Sequence, residues 1–201
     1  MGPKRRGFVG DRGMEEEKIP NGYAGISREL EMARRIQLSF LPEAPPDLRG
    51  VRMACRSIPA HYVGGDYYDF FRWDDKTLDI AIADVSGHDL GAALIMVETR
   101  SVLRAHAYRA GNAGDALGLL NELLYDDLTR AELFISMFYA KYSSDTRLLV
   151  YANGGHNPPL LLRCGQGGCM DLDTDGMVLG VVKGVAFEEK SILLREGDLM
   201  L

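Results

Sequence analysis

Val63-Gly64-Gly65-Asp66-Tyr67-Tyr68-Asp69-Phe70, followed by Ala83-Asp84-Val85-Ser86-Gly87-His88, is the stretch whose reading decides the fold. Asp74-Asp75-Lys76 breaks two strand-like runs, and Asp66 and Asp84 each lie nine residues from Asp75. An antiparallel hairpin centred on that turn sets the two aspartates opposite each other, roughly 5 Å apart at Cβ. Side-chain parity agrees. Asp66, Tyr68 and Phe70 share one face of the first strand, and Leu78, Ile80, Ile82 and Asp84 share one face of the second. Two carboxylates at the end of an apolar face repel each other and lose hydration, so a positive charge belongs between them. A divalent cation with oxygen ligands is the natural candidate. Gly64-Gly65 lets backbone and a bound ion approach closely. Ser86-Gly87-His88 forms a turn that can aim carbonyls at a metal and amide N–H groups at an anion. Read as structure alone, the same aspartates are turn and helix-cap residues.

A chain of 201 residues, 46% of them hydrophobic, can bury a sizeable core as one domain. Its formal charge of −6 argues against a general nucleic-acid binder, and Lys4-Arg5-Arg6 is its one compact basic run. No apolar stretch approaches the roughly 20 residues that span a bilayer, and no secretory signal precedes the fold. Three cysteines fit a reducing, cytoplasmic location better than a disulfide framework. Cys164 and Cys169 flank Gly165-Gln166-Gly167-Gly168, but no second Cys/His pair has the spacing of a zinc site.

Residues 1–25 lack periodicity and read as a disordered tail or linker. Ser27, Leu30, Ala33, Ile36/Gln37 and Phe40 recur at helical spacing, giving a connector helix over 26–42 that stops at Pro42. Such a helix either docks on its own domain or forms a homodimer that connects to an upstream sensor. Val51 to Ile58 reads as a strand leading into the hairpin. Helices follow over Gly91–Ala107 and from about Asp115, the expected N-cap, through Leu117, Leu120, Leu124 and Leu128. The period then changes to two, with strands expected over Phe134–Ser143, Arg147–Asn153, Pro159–Arg163, Cys169–Leu172 and Val185–Leu194. Two helices within a mostly antiparallel strand series define an α+β class.

Two further patterns carry less. Asp171-Leu172-Asp173-Thr174-Asp175-Gly176 matches the start of an EF-hand loop, but position twelve is Val182 instead of a bidentate Glu, and the flanks are not helical. An acidic turn is the better reading. Ser86 and His88 are too close in sequence for a simple nucleophile–base relay. His156, in Asn153-Gly154-Gly155-His156-Asn157-Pro158-Pro159, sits at a strand-end turn as a loop organiser. His61 and His106 carry no signal beyond surface or stripe positions.

Together these segments resemble the metal-dependent protein phosphatase (PPM) family, in its SpoIIE/RsbU-like bacterial branch. The resemblance starts at Ala33-Arg34-Arg35-Ile36-Gln37-Leu38-Ser39-Phe40-Leu41-Pro42 and runs through Pro59 to Asp69 and Asp84 to Leu94. It continues at Tyr151 to Pro159, Leu179-Gly180 and Glu196-Gly197-Asp198, covering about residues 28–201. It implies two packed, mainly antiparallel sheets flanked by helices, an α-β-β-α sandwich filling 43–201 with its C-terminal part missing. It also implies hydrolysis of phosphoserine or phosphothreonine by a metal-activated water. By the resemblance, Asp66 and Asp84 are the catalytic metal ligands, the Val85 carbonyl adds a third, and Gly65, Gly87, His88 and His156 organise the site loops. The implied cofactors are Mn²⁺ or Mg²⁺, two in a complete domain. The implied partner is a phosphorylated anti-sigma-factor antagonist, with an upstream sensor domain. In the family the counterpart of Gly197-Asp198 leads into a Thr-Asp-Gly ligand motif, and this sequence stops at Leu201 before it. Thr174-Asp175-Gly176 lies too early to take that role. One metal or none, weak activity and marginal stability are therefore expected of the 201 residues. The alternative is a non-catalytic interaction or dimerisation module on the same fold.

Overall fold

The computed structural model describes residues 21–201 apart from Gln166. The expectation of a tail over 1–25 therefore lies mostly outside the described residues. Within them, helix α1 spans Asn21–Phe40, so it starts five residues before the expected boundary at 26. It ends before Pro42, which disfavours helical geometry at Leu41. Leu41 N closes the last turn on the Leu38 carbonyl at 3.2 Å. No helix among the described residues is long and apolar enough to cross a membrane.

Residues Val51–Ile58 alternate half-buried and exposed positions as a strand would. They make no ladder beyond one bridge, Leu48 to Val51, so the expected strand is an extended segment instead. The hairpin follows as β1, Asp66–Arg72, and β2, Thr77–Val85. Its register sets Asp66 opposite Asp84 and Phe70 opposite Ile80, as the symmetry about Asp75 predicts. Helix α2, Leu90–His106, has Asp89 as N-cap, its side chain accepting from Ala92 N.

Helix α3, Ala113–Ala131, is capped by Asn112, not by the expected Asp115. Asn112 is extended, and its Oδ1 accepts from Asp115 N at 2.7 Å, while Glu189 Oε2 accepts from Ala113 N at 2.6 Å. Strands β3, Ile135–Ser143, and β4, Leu148–Gly154, continue the meander. Short strands β5, Leu160–Leu162, β6, Cys169–Asp171, β7, Lys190–Leu193, and β8, Leu199–Met200, complete the described chain.

Two antiparallel sheets result. The larger has the order β1-β2-β3-β4-β7, and the smaller β6-β5-β8. Helices α2 and α3 cover one face of the large sheet through a core that includes Tyr67, Ala83, Met96, Leu117, Leu124, Met137 and Tyr139. The small sheet packs on the other face through Phe138, Leu149, Tyr151, Leu161 and Leu172. The α+β class and the paired antiparallel sheets agree with the expectation. Among the described residues no helix covers the outer face of the small sheet, where Leu160 and Leu162 are exposed. The described architecture is therefore three layers, helix, sheet and sheet.

Candidate active site

The pleat places Tyr67, Asp69 and Phe71 toward the helices and leaves Asp66 and Asp84 on the opposite face of the hairpin. That face is more open than the sequence implied, since Ile82 is 43% exposed. The β2–β3 register extends the row, with Asp84 opposite Ser136. Three strands thus present Asp66, Asp84 and Ser136 side by side. The turn after β4 brings His156 to the end of this row. Ser136 Oγ and His156 Nδ1 are 2.9 Å apart, and Ser136 Oγ lies 3.4 Å from the Asp84 carbonyl oxygen.

His156 is held by its own loop. Its N–H donates to Asn153 Oδ1 at 2.8 Å, and Asn153 Nδ2 donates back to the His156 carbonyl at 2.9 Å and to Asp173 Oδ1 at 2.7 Å. Gly155 has φ +69, a left-handed conformation in which a side chain would be strained, and a Cβ there would stand 2.7 Å from Val178 Cγ1. The EF-hand-like loop therefore serves as a brace. Asp173 Oδ1 also accepts from Thr174 N at 2.9 Å.

At the other end of the row, a Cβ on Gly65 would stand 2.5 Å from the Val85 carbonyl oxygen and 3.3 Å from Asp84 Oδ1. Only a glycine lets β1 begin this close to the end of β2. The adjoining Gly64 is gripped by Gln37 of α1. Gln37 Nε2 donates to the Gly64 carbonyl at 2.8 Å, and Gly64 N donates to Gln37 Oε1 at 3.1 Å. Ser86 ties the β2 end to the start of β3: its N–H donates to the Phe134 carbonyl, and Phe134 N donates to Ser86 Oγ, both at 2.9 Å. Gly87 turns there with φ +96. His88 is exposed, with its ring 5.5 Å from that of His61.

Electrostatics follow from this crowding. Burial, then the nearby charge of Asp66, pushes the Asp84 carboxyl above the ordinary carboxylate range, and His156 opposes the rise. Burial pushes the His156 imidazole down, opposed by Asp84 and Asp66. A crowded carboxylate pair beside a backbone oxygen is a hard-oxygen donor set that suits Mg²⁺ or Mn²⁺. The Val85 carbonyl oxygen and Asp84 Oδ1 both crowd the Gly65 position, so they stand near one another. Among the described residues no group of three or more His, Cys, Asp or Glu side chains is gathered to hold a metal ion. The fit is thus to two carboxylates and a carbonyl.

The sequence points to Asp66, Asp84, Val85, Gly65, Gly87, His88 and His156; the fold gathers Asp66, Asp84, Val85, Gly65 and His156 around the row, while Gly87 and His88 lie in the turn that follows β2. Sequence reasoning missed Ser136, Gln37 and Asn153. Ser136 is the polar break in Phe134-Ile135-Ser136-Met137-Phe138, a signal that needs the β2–β3 register to be read.

A helix-covered large sheet packed on a smaller one, with a carboxylate pair on its first hairpin, is an architecture shared with solved PP2C domains. The SiaA-PP2C domain of Pseudomonas aeruginosa superposes with a TM-score of 0.70 at 17% identity, over 90% of this chain and 72% of that one. RsbX in complex with magnesium superposes with a TM-score of 0.54 at 18% identity, over 68% of this chain and 63% of that one. The family described as Stage II sporulation protein E (SpoIIE) matches residues 74–201, more than half of the sequence, and the chain belongs to that family. Phosphoserine phosphatase RsbU of Bacillus subtilis (strain 168) is 30% identical over 190 residues, 94% of this chain. The chain spans 54% of RsbU's length.

Proposed function

We propose that this domain hydrolyses phosphoserine or phosphothreonine on a bacterial signalling protein of the anti-sigma-factor-antagonist kind, with Asp66, Asp84 and the Val85 carbonyl holding Mn²⁺ or Mg²⁺. The observation that carries this reading is the juxtaposition of Asp66 and Asp84 across the β1–β2 hairpin, with Asp84 raised by burial and by its partner. A divalent cation at such a site supplies an acidified water and offsets the charge of the phosphoryl group. The chain's own residues do the rest. Asp66 and Asp84 fix the charge that binds the cation, Gly65 leaves room for the Val85 carbonyl beside Asp84, and Ser136 orients His156 at the open end of the row. Kinship with RsbU, named a phosphoserine phosphatase, supports the substrate class, and the magnesium-bound RsbX supports the metal class.

Calorimetric titration of Mn²⁺, run beside phosphate release from a phosphoserine peptide, tests the reading. Asp84→Asn is expected to abolish Mn²⁺ binding, because it removes the central charged ligand. Unchanged Mn²⁺ affinity in that variant would sink the site assignment. Wild-type binding of the phosphopeptide without Mn²⁺-dependent turnover would transfer the domain to the interaction-module reading.

A further inference from the structure

A concavity of about 340 Å³ lies away from the aspartate row, between the end of α1, helix α2 and the far end of β1. Phe40, Pro42 and Phe70 contribute apolar lining, and three arginines, Arg72, Arg100 and Arg104, line it as well. Each guanidinium is anchored through Nε. Arg100 donates to the Phe40 carbonyl at 2.9 Å, Arg72 to the Asp74 carbonyl at 3.0 Å, and Arg104 to Asp69 Oδ2 at 2.6 Å. Arg104 Nη2 also pairs with Asp69 and Arg72 Nη2 with Asp75, so two of the three charges have carboxylate partners. Arg100 has none among the described residues, and both of its Nη groups are without hydrogen bonds there. Its plane is steadied over the Phe40 ring, with Cζ 4.8 Å from the centroid.

Through Nε, Arg100 caps the last carbonyl of α1, a structural role that leaves both of its Nη groups available to a ligand. A fork fixed at Nε presents two parallel N–H donors, the arrangement that receives carboxylate or phosphate oxygens. A concavity this large is at the lower end of ligand-pocket sizes, roughly 300–1,000 Å³, and far exceeds what one free oxyanion fills. It runs beside β1, the edge strand of the large sheet, where an extended chain can lie. Phe70 is four residues from Asp66 on the same strand face, about 13 Å away.

We propose that this groove is a second oxyanion site, distinct from the Asp66/Asp84 pair, that docks an extended peptide segment by its acidic side chain, with Arg100 as the receiving fork. The proposal does not depend on phosphatase activity, and its test omits divalent metal. A ten-residue peptide of alternating alanine and glutamate is titrated calorimetrically into the full 201-residue chain in EDTA, and inorganic phosphate is titrated separately. The expected result is saturable peptide binding that weakens as salt rises. Arg100→Gln is expected to weaken it at least tenfold, Arg100→Lys to restore part of the loss, and Asp84→Asn to leave it unchanged. Circular dichroism checks the fold of each variant. Should Arg100→Gln fail to fold, the exposed Arg72→Gln carries the same test with a several-fold weakening. Absent peptide binding, or equal binding by wild type and the arginine variants, overturns the proposal. Inorganic phosphate binding as tightly as the peptide overturns the peptide as occupant.

Discussion

Arg104 of α2 closes its fork on Asp69 of β1, with Nε 2.6 Å from Oδ2 and Nη2 2.6 Å from Oδ1. Asp69 is wholly buried, whereas the Arg104 side chain is 43% exposed, so the pair bridges the core and the surface. Tyr67 Oη adds a bond to Oδ2 at 2.8 Å and Phe70 N one to Oδ1 at 2.8 Å, which satisfies the carboxylate on all sides. The arrangement fastens α2 to the strand that begins with Asp66.

Removing the arginine strands that carboxylate. Arg104→Met is expected to destabilise the domain by about 3 kcal/mol, at the low end for breaking a buried pair because Tyr67 and the Phe70 N–H stay in place. Urea unfolding followed by circular dichroism measures it. A loss below about 1 kcal/mol would mean that those two donors and solvent suffice.

Gln37 makes the second long-range fastening. It is 5% exposed and bonds both the carbonyl and the N–H of Gly64, two residues before Asp66. Gln37→Leu keeps the volume but leaves two backbone groups short of partners, an expected cost of about 1–3 kcal/mol. Because those groups belong to the loop that aims Asp66, Mn²⁺ affinity should fall with stability. Hydrogen exchange at Gly64 and Gly65 reads the loosening directly, and unchanged protection there would show that α1 does not hold this loop.

The hairpin was legible in the sequence because its determinants are local: one turn, parity on two strands and an equal count from Asp75 to each aspartate. Val51–Ile58 shows the limit of the same reasoning. Its alternation is real in burial, yet period two reports which side chains face inward, not whether a neighbouring strand supplies hydrogen bonds. The α3 cap failed differently. Asn112 and Asp115 are both capping residues, and the extended backbone of Asn112, with its Oδ1 on the N–H three residues on, decides between them. Ser136 and Gln37 reach the site from 52 and 27 residues away, through a register and a helix docking that no local pattern encodes.

Two adjacent glycines offer an internal control. A Cβ at Gly65 meets the Val85 carbonyl oxygen at 2.5 Å and Val85 Cβ at 3.1 Å, whereas at Gly64 the nearest atom, Pro59 Cβ, is 3.9 Å away. Gly65→Ala must push β1 from β2 and is expected to cost about 1–3 kcal/mol, as overpacking does. It should also weaken Mn²⁺ binding at least tenfold, while Gly64→Ala leaves both within error. Thermal melts and calorimetry on the pair decide it. Equal behaviour of the two variants would show that the close approach at Gly65 has no part in the site.

The raised Asp84 carboxyl makes stability depend on pH and on metal together. Its folded pKa lies above the unfolded value, because burial and then Asp66 disfavour the charged form. Such a group contributes stability that is fully present below the ordinary carboxylate value, about 3.9, and is lost as pH rises through the raised one. At neutral pH without metal, the ionised Asp66/Asp84 pair therefore works against the fold. Asp84→Asn should melt higher than wild type at pH 7 in EDTA, and the gap should narrow as pH falls and wild-type Asp84 takes up its proton. Saturating Mn²⁺ should reverse the order, since a ligand that binds only the folded wild type stabilises it by mass action and finds no site in the variant. Differential scanning calorimetry at pH 4 and 7, with EDTA and with Mn²⁺, separates the cases. Asp84→Asn melting below wild type at pH 7 in EDTA would show that the two carboxylates support the fold without a cation between them.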